Sequence, residues 1–154
     1  MNYHKQLILH DPDNGKWGDC FRTALACLLD LQPKDVPHFG HRGPDSAEFN
    51  ARINAWLGDQ NLTLITVGLV GGPDKVMEAM KIQNPGVVYL LSGKSPRCDE
   101  SHVVIAQDDK IIHDPHPDGT GLDGPDADGA GWAEFLVVSS IHKLRDNEPD
   151  ERHD

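Results

Sequence analysis

The chain has 154 residues, 38% apolar and 25% charged, enough to bury the core of one compact domain and leaving little room for a second. Its 14 basic and 25 acidic residues leave a net charge of -11, which argues against a general nucleic-acid binder, since that function needs a basic face. No run approaches the roughly 18 apolar residues of a spanning helix. Leu7-Ile8-Leu9 is too short for a signal-peptide core, and three cysteines cannot all pair internally, so the expected compartment is the cytoplasm and a disulfide scaffold is excluded.

The first predicted helix begins at Cys20, because Phe21, Ala24, Leu25, Leu28 and Leu29 form a stripe at helical spacing, with Asp19 at the N-cap position and Gln32-Pro33 as the stop. A second helix is expected over 46–57, burying Phe49, Ile53, Trp56 and Leu57. A strand over 62–70 and a short helix over 73–81, opened by Pro73, come next. Strands are then predicted over 87–91, 102–106, 111–113 and 132–141. Between the last two lies a Gly/Asp/Pro run, 114–131, whose composition is that of a loop. Residues 1–145 are read as one domain and 146–154 as a polar, disordered tail. Helices first, then strands joined by short turns, predict an α+β fold with an antiparallel sheet.

Cys20 is placed where chemistry favours a thiolate. At a helix start the unpaired N–H groups and the positive end of the dipole stabilise the anion and offer donors to a nearby oxyanion. Asp19 opposes that charge, so a positive partner is required. Cys27, mid-helix among leucines, reads as a small buried hydrophobe. His102 opens an apolar strand, and Asp114 follows the next one. With a three-residue loop, 107–109, Ala106 pairs with Lys110, and His102 lies opposite Asp114 with Cβ atoms about 4.5 to 5.5 Å apart. With a two-residue turn the register shifts by one and the two side chains leave on opposite faces.

A cysteine at an early helix start, followed late in the chain by His and Asp on adjacent strands, resembles the papain-like cysteine peptidase fold, most closely the bacteriocin-processing peptidases. A narrower resemblance is to uncharacterised bacterial and phage proteins. It is carried by Ser95-Pro96-Arg97, Ser101-His102-Val103-Val104, His113-Asp114-Pro115-His116-Pro117 and Gly121-Leu122. The resemblance implies a catalytic triad of Cys20, His102 and Asp114 and a bacterial or phage-infected cytoplasm. Papain-like enzymes place an oxyanion-binding glutamine six residues before the nucleophile, and here that position is Asn14; Asp13-Asn14-Gly15 is equally an ordinary turn. The Cys-Gly-Ser-Cys-Trp signature of the secreted papain group is absent. Trp17 is a candidate pocket wall, Arg97 a candidate anion contact and His116 a further substrate-side residue.

Other readings fit less well. His102, His113, Asp114, His116 and Cys98 offer zinc-ligand chemistry, but there is no His-Glu-x-x-His and no Cys-x-x-Cys, so neither metal nor cofactor is expected. Aligned as a calcium loop, the segment from Gly124 puts Gly and Phe135 where carboxylates are needed. The 114–131 run is then a plain loop or a lid over the site. The expected function is thiol-dependent acyl transfer, by default hydrolysis of a peptide, isopeptide or other amide bond. The alternative is a papain-like binding module without catalysis, whose acidic surface suits a basic protein partner.

Overall fold

A computed structural model of the chain describes residues 1–40 and 46–139. Among these residues are the helices α1 (Cys20–Leu28), α2 (Ala47–Gly58) and α3 (Pro73–Gln83). The strands are β1 (Leu62–Val70), β2 (Val88–Lys94), β3 (Ser101–Gln107), β4 (Lys110–His113) and β5 (Ala130–Val138). The fold is α+β, with one five-stranded sheet in the order β1-β5-β2-β3-β4, every neighbouring pair antiparallel. The polar tail predicted over 146–154 and the end of the strand predicted over 132–141 lie outside the described residues.

The sheet is covered on both faces, and its strands alternate accordingly. Leu90, Val103 and Ile105 meet Ala24, Leu25, Phe49 and Ile53 of α1 and α2, whereas Tyr89, Leu91, Val104, Ala106 and Ala133 meet Val76 and Met80 of α3. Phe21, Phe39 and Phe49 interlock edge to face, with centroids 5.4 to 6.3 Å apart, and fix α1 against α2. Helix α1 ends earlier than Gln32-Pro33 because Asp30 adopts φ 55°, a left-handed conformation that an α-helix cannot continue through. Trp56 is only half-buried, its ring edge-on to Phe39.

Strand β5, last in sequence, is inserted between β1 and β2 and returns through the 114–129 loop. That loop is fastened to β2: Asp123 N–H donates to the Lys94 carbonyl (2.8 Å), and Lys94 N–H donates to the Gly124 carbonyl (3.0 Å). These two bonds anchor the middle of the connection to the end of β2. The N-terminus of α3 rests on β5 at Gly131, where a Cβ would fall 2.4 Å from the Gly72 carbonyl carbon. Backbone cannot yield there as a flexible side chain would. Gly131→Ala is expected to lower unfolding free energy by about 1–3 kcal/mol, read from urea midpoints. Gly58→Ala, with open space around it, should leave stability unchanged or slightly raised.

Candidate active site

Cys20 is the first residue of α1, at the end of the helix where the N–H groups of the first turn have no intrahelical partner. Asp19 does not cap the helix with its side chain. It is fully buried: Oδ2 accepts from Arg22 Nε at 3.1 Å, and Oδ1 accepts from Ile8 N–H at 2.9 Å. The arginine neutralises the charge that would oppose a thiolate, and the second bond fastens the N-terminal segment to the helix start. That segment continues to the opposite wall of the site. Gln6 N–H donates to the Pro115 carbonyl (2.9 Å), and Lys5 Nζ donates to the carbonyls of Asp114 (2.8 Å) and His116 (3.0 Å).

The β3–β4 hairpin turns through two residues, Asp108 and Asp109, with Gln107 paired to Lys110 and Ala106 to Ile111. Asp108 takes φ 54°, tolerable for an aspartate, and its carbonyl and carboxylate are held by Tyr89 O–H (2.9 Å) and Gly86 N–H (2.7 Å). The pairing of Ala106 with Lys110 through a three-residue loop is therefore corrected. By itself the shorter turn would put His102 and Asp114 on opposite faces. A β-bulge follows at once, since Ile105 pairs with His113 and Ile112 is the extra residue. The bulge restores the parity, and His102 Nε2 meets Asp114 Oδ1 at 2.7 Å.

Both partners are almost out of water, with His102 4% and Asp114 7% exposed. The carboxylate also accepts N–H bonds from His116 (2.8 Å) and from Gly121 (2.8 Å), the latter at φ 73°. Burial alone would push Asp114 up, but the imidazole and these two N–H donors hold it down at about 2. Burial likewise pushes the His102 imidazole down. Hydrogen bonds to Asp114 and Cys20, with the negative charge of both, outweigh it and carry the imidazole up to about 9. With Nε2 committed to Asp114, Nδ1 is the ring nitrogen left for the thiol.

Cys20 and His102 line a cavity of about 430 Å³, together with Trp17, Arg97 and His116 from the residues singled out in the sequence. Asn14 is not part of its wall. It sits exposed in a turn, and its Nδ2 donates to Asp11 Oδ2 at 2.8 Å. The amide that does line the cavity is Gln6, whose Nε2 donates one hydrogen to the Ile8 carbonyl (3.2 Å) and keeps a second. The six-residue spacing misses it because Gln6 arrives on the N-terminal segment, fourteen positions before Cys20. Its inward position shows only in the fold, where His4, Gln6, Ile8 and His10 are the less exposed positions of an alternating stretch and Tyr3, Lys5, Leu7 and Leu9 face outward. The Arg97 guanidinium is engaged through NH1 by Asp118 at 2.9 Å and by Thr120. Cys98, exposed, is a second thiol on the cavity wall. Cys27 is fully buried, accepts an N–H bond from His4 at 3.2 Å, and is pushed up by that burial.

Comparison of the chain with protein-family models, curated protein sequences and solved structures found no match. Among the described residues no helix is long and apolar enough to cross a membrane, and no three His, Cys, Asp or Glu side chains group so as to hold a metal ion.

The pair has a calculable pH signature. His102 is raised from 6.5 to about 9, so its stabilisation is complete below pH 6.5 and lost as pH rises through 9. Asp114 is lowered from 3.8 to about 2, so the same interaction is complete above pH 3.8 and lost as pH falls through 2. Urea unfolding across pH should show a plateau of the wild-type-minus-Asp114→Asn difference between 3.8 and 6.5 that declines on both sides. A difference independent of pH would show that the two groups do not titrate as a pair.

Proposed function

We propose that the protein is a papain-like cysteine-nucleophile enzyme that hydrolyses an amide bond through Cys20, His102 and Asp114. The observation that carries this reading is His102, buried at a cavity wall with a carboxylate on one ring nitrogen and the Cys20 thiol on the same wall. A structural histidine needs neither the thiol nor the cavity. The papain-like assignment is supported by chain order, with the cysteine on the first helix and His and Asp on consecutive antiparallel strands.

Cys20 and His102 form a thiolate–imidazolium pair, stabilised by Asp114 and by the helix dipole. The thiolate attacks the substrate carbonyl, and the oxygen of the tetrahedral adduct takes the C–O electron pair. Its donors are the Cys20 backbone N–H and the free Nε2 hydrogen of Gln6, which replaces Asn14 in this role. Collapse breaks the C–N bond while His102 gives its proton to the departing amine, leaving a thioester on Cys20. The neutral imidazole then takes a proton from water, whose oxygen attacks the thioester and releases the acid and the thiolate. Asp99 and Glu100 on the cavity wall, in a chain of net charge -11, favour a substrate with basic neighbours.

Iodoacetamide labelling at pH 6, followed by peptide mass spectrometry, tests the nucleophile without knowledge of the substrate. Cys20 should label about tenfold or more faster than exposed Cys98, with Cys27 protected, and His102→Ala should abolish the advantage. Labelling of Cys98 first would leave a binding module as the better reading. Once a substrate is found, Gln6→Ala should lower kcat roughly 10²–10³-fold, while Asn14→Ala should leave it unchanged.

A further inference from the structure

The sequence pattern in Ser95-Pro96-Arg97, Asp114-Pro115-His116-Pro117 and Gly121 is only partly used by the triad, and in the fold its parts meet. Arg97 lies on the β2–β3 turn, which closes on itself through Ser95 N–H to the Glu100 carbonyl (2.9 Å) and Arg97 N–H to Ser95 Oγ (3.2 Å). Its NH1 donates to Asp118 Oδ1 at 2.9 Å and to Thr120 Oγ1, both on the loop after Asp114. That loop wraps the Asp114 carboxylate: His116 N–H holds Oδ1, and Gly121 N–H, one residue beyond Thr120, holds Oδ2. Asp118 is folded into the same turn by its bonds with Thr120 N–H (3.1 Å) and Thr120 O–H (3.0 Å), and lies 2.9 Å from His116 Nδ1. The arginine is three-quarters buried, its side chain 23% exposed.

We propose that Arg97 is a positioning residue, which clasps the 114–121 loop to the β2–β3 turn through Asp118 and Thr120 and so holds the Asp114 carboxylate on His102. Its importance for catalysis rests on the triad reading, but the clasp itself is a claim about geometry. The two halves of the sequence pattern then have one purpose. The carboxylate is set on the far side of a bulge and beyond the last paired residue of β4, where the sheet no longer fixes it. Ladder bonds cannot hold Asp114 in place, so the loop must. The N-terminal segment supports the loop from one side through Lys5 and Gln6, and Arg97 supports it from the other.

The sign of one titration separates a clasp from a mere charge. Removing a nearby cation raises the proton affinity of His102 by Coulomb's law, whereas loosening Asp114 lowers it. The other titratable groups lining this cavity (Cys20, Cys98, His10, His116, Asp99 and Glu100) are present in every variant, so the comparison with wild type holds them constant in number. The histidine ring carbons of the full chain can be followed by NMR against pH, with His102 assigned from His102→Gln. Arg97→Gln should lower the His102 midpoint by about one pH unit, a tenfold loss of proton affinity. Thr120→Val, which changes no charge, should lower it in the same direction, and Arg97→Lys should fall between Arg97→Gln and wild type. An unchanged or raised midpoint in Arg97→Gln, or a Thr120→Val profile that overlays wild type, would overturn the proposal. If Arg97→Gln does not fold, Thr120→Val and Arg97→Lys decide the matter. Wild-type Cys20 labelling at pH 6 tests the triad separately, so a normal labelling profile with an unmoved His102 midpoint condemns the clasp alone.

Discussion

The hydrogen bond between His102 and Asp114, 2.7 Å long and nearly free of water, makes demands that the surrounding chain is built to meet. A buried carboxylate beside an imidazolium costs several kcal/mol of lost hydration per ion, and the mutual attraction offsets this only when remaining lone pairs are satisfied. Here the backbone supplies them, through His116 and Gly121. Prolines at 115 and 117 limit the conformations of that stretch before folding, which lowers the entropy lost in shaping it. The loop composition that looks like idle Gly/Asp/Pro in the sequence is thus the shell of an ion pair.

A second requirement is that the helix carrying Cys20 meet this pair at a fixed height. The aromatic triangle of Phe21, Phe39 and Phe49 sets α1 against α2, and Leu25 of α1 shares a core with Val103 and Ile105 of β3. At the polar end the N-terminal segment crosses between the helix start and the Asp114 loop, bonded to both. Asp19 serves that crossing rather than the helix cap. Its burial against Arg22 turns a residue that would repel a thiolate into a neutral anchor.

The apolar spacing of α1, α2 and α3 and the β-branched runs of the strands made most of the fold legible, because burial on one face of a helix or both faces of a sheet imposes a period on the sequence. The three residues of the proposed triad were legible for a different reason, since helix-start cysteine and strand-linked His and Asp are chemically conspicuous. What escaped was set by tertiary contact. The turn length at Asp108 and Asp109 depends on Tyr89 and Gly86, which lie on another part of the chain. Gln6 enters the cavity on a segment with no regular structure, so no spacing rule relates it to Cys20. The use of Arg97 depends on Asp118 and Thr120, which are unremarked residues in a polar loop until the fold brings them near.

The bulge at Ile112 has a consequence for how the hairpin tolerates change in length. Two one-residue departures from a plain ladder, a tight turn and an extra strand residue, cancel between Ala106 and Asp114. Either departure removed alone turns the carboxylate away from the imidazole, although the sheet would still pair and the core would still fill. A one-residue change in the paired part of this hairpin therefore switches the face on which Asp114 leaves β4 unless a second change compensates it.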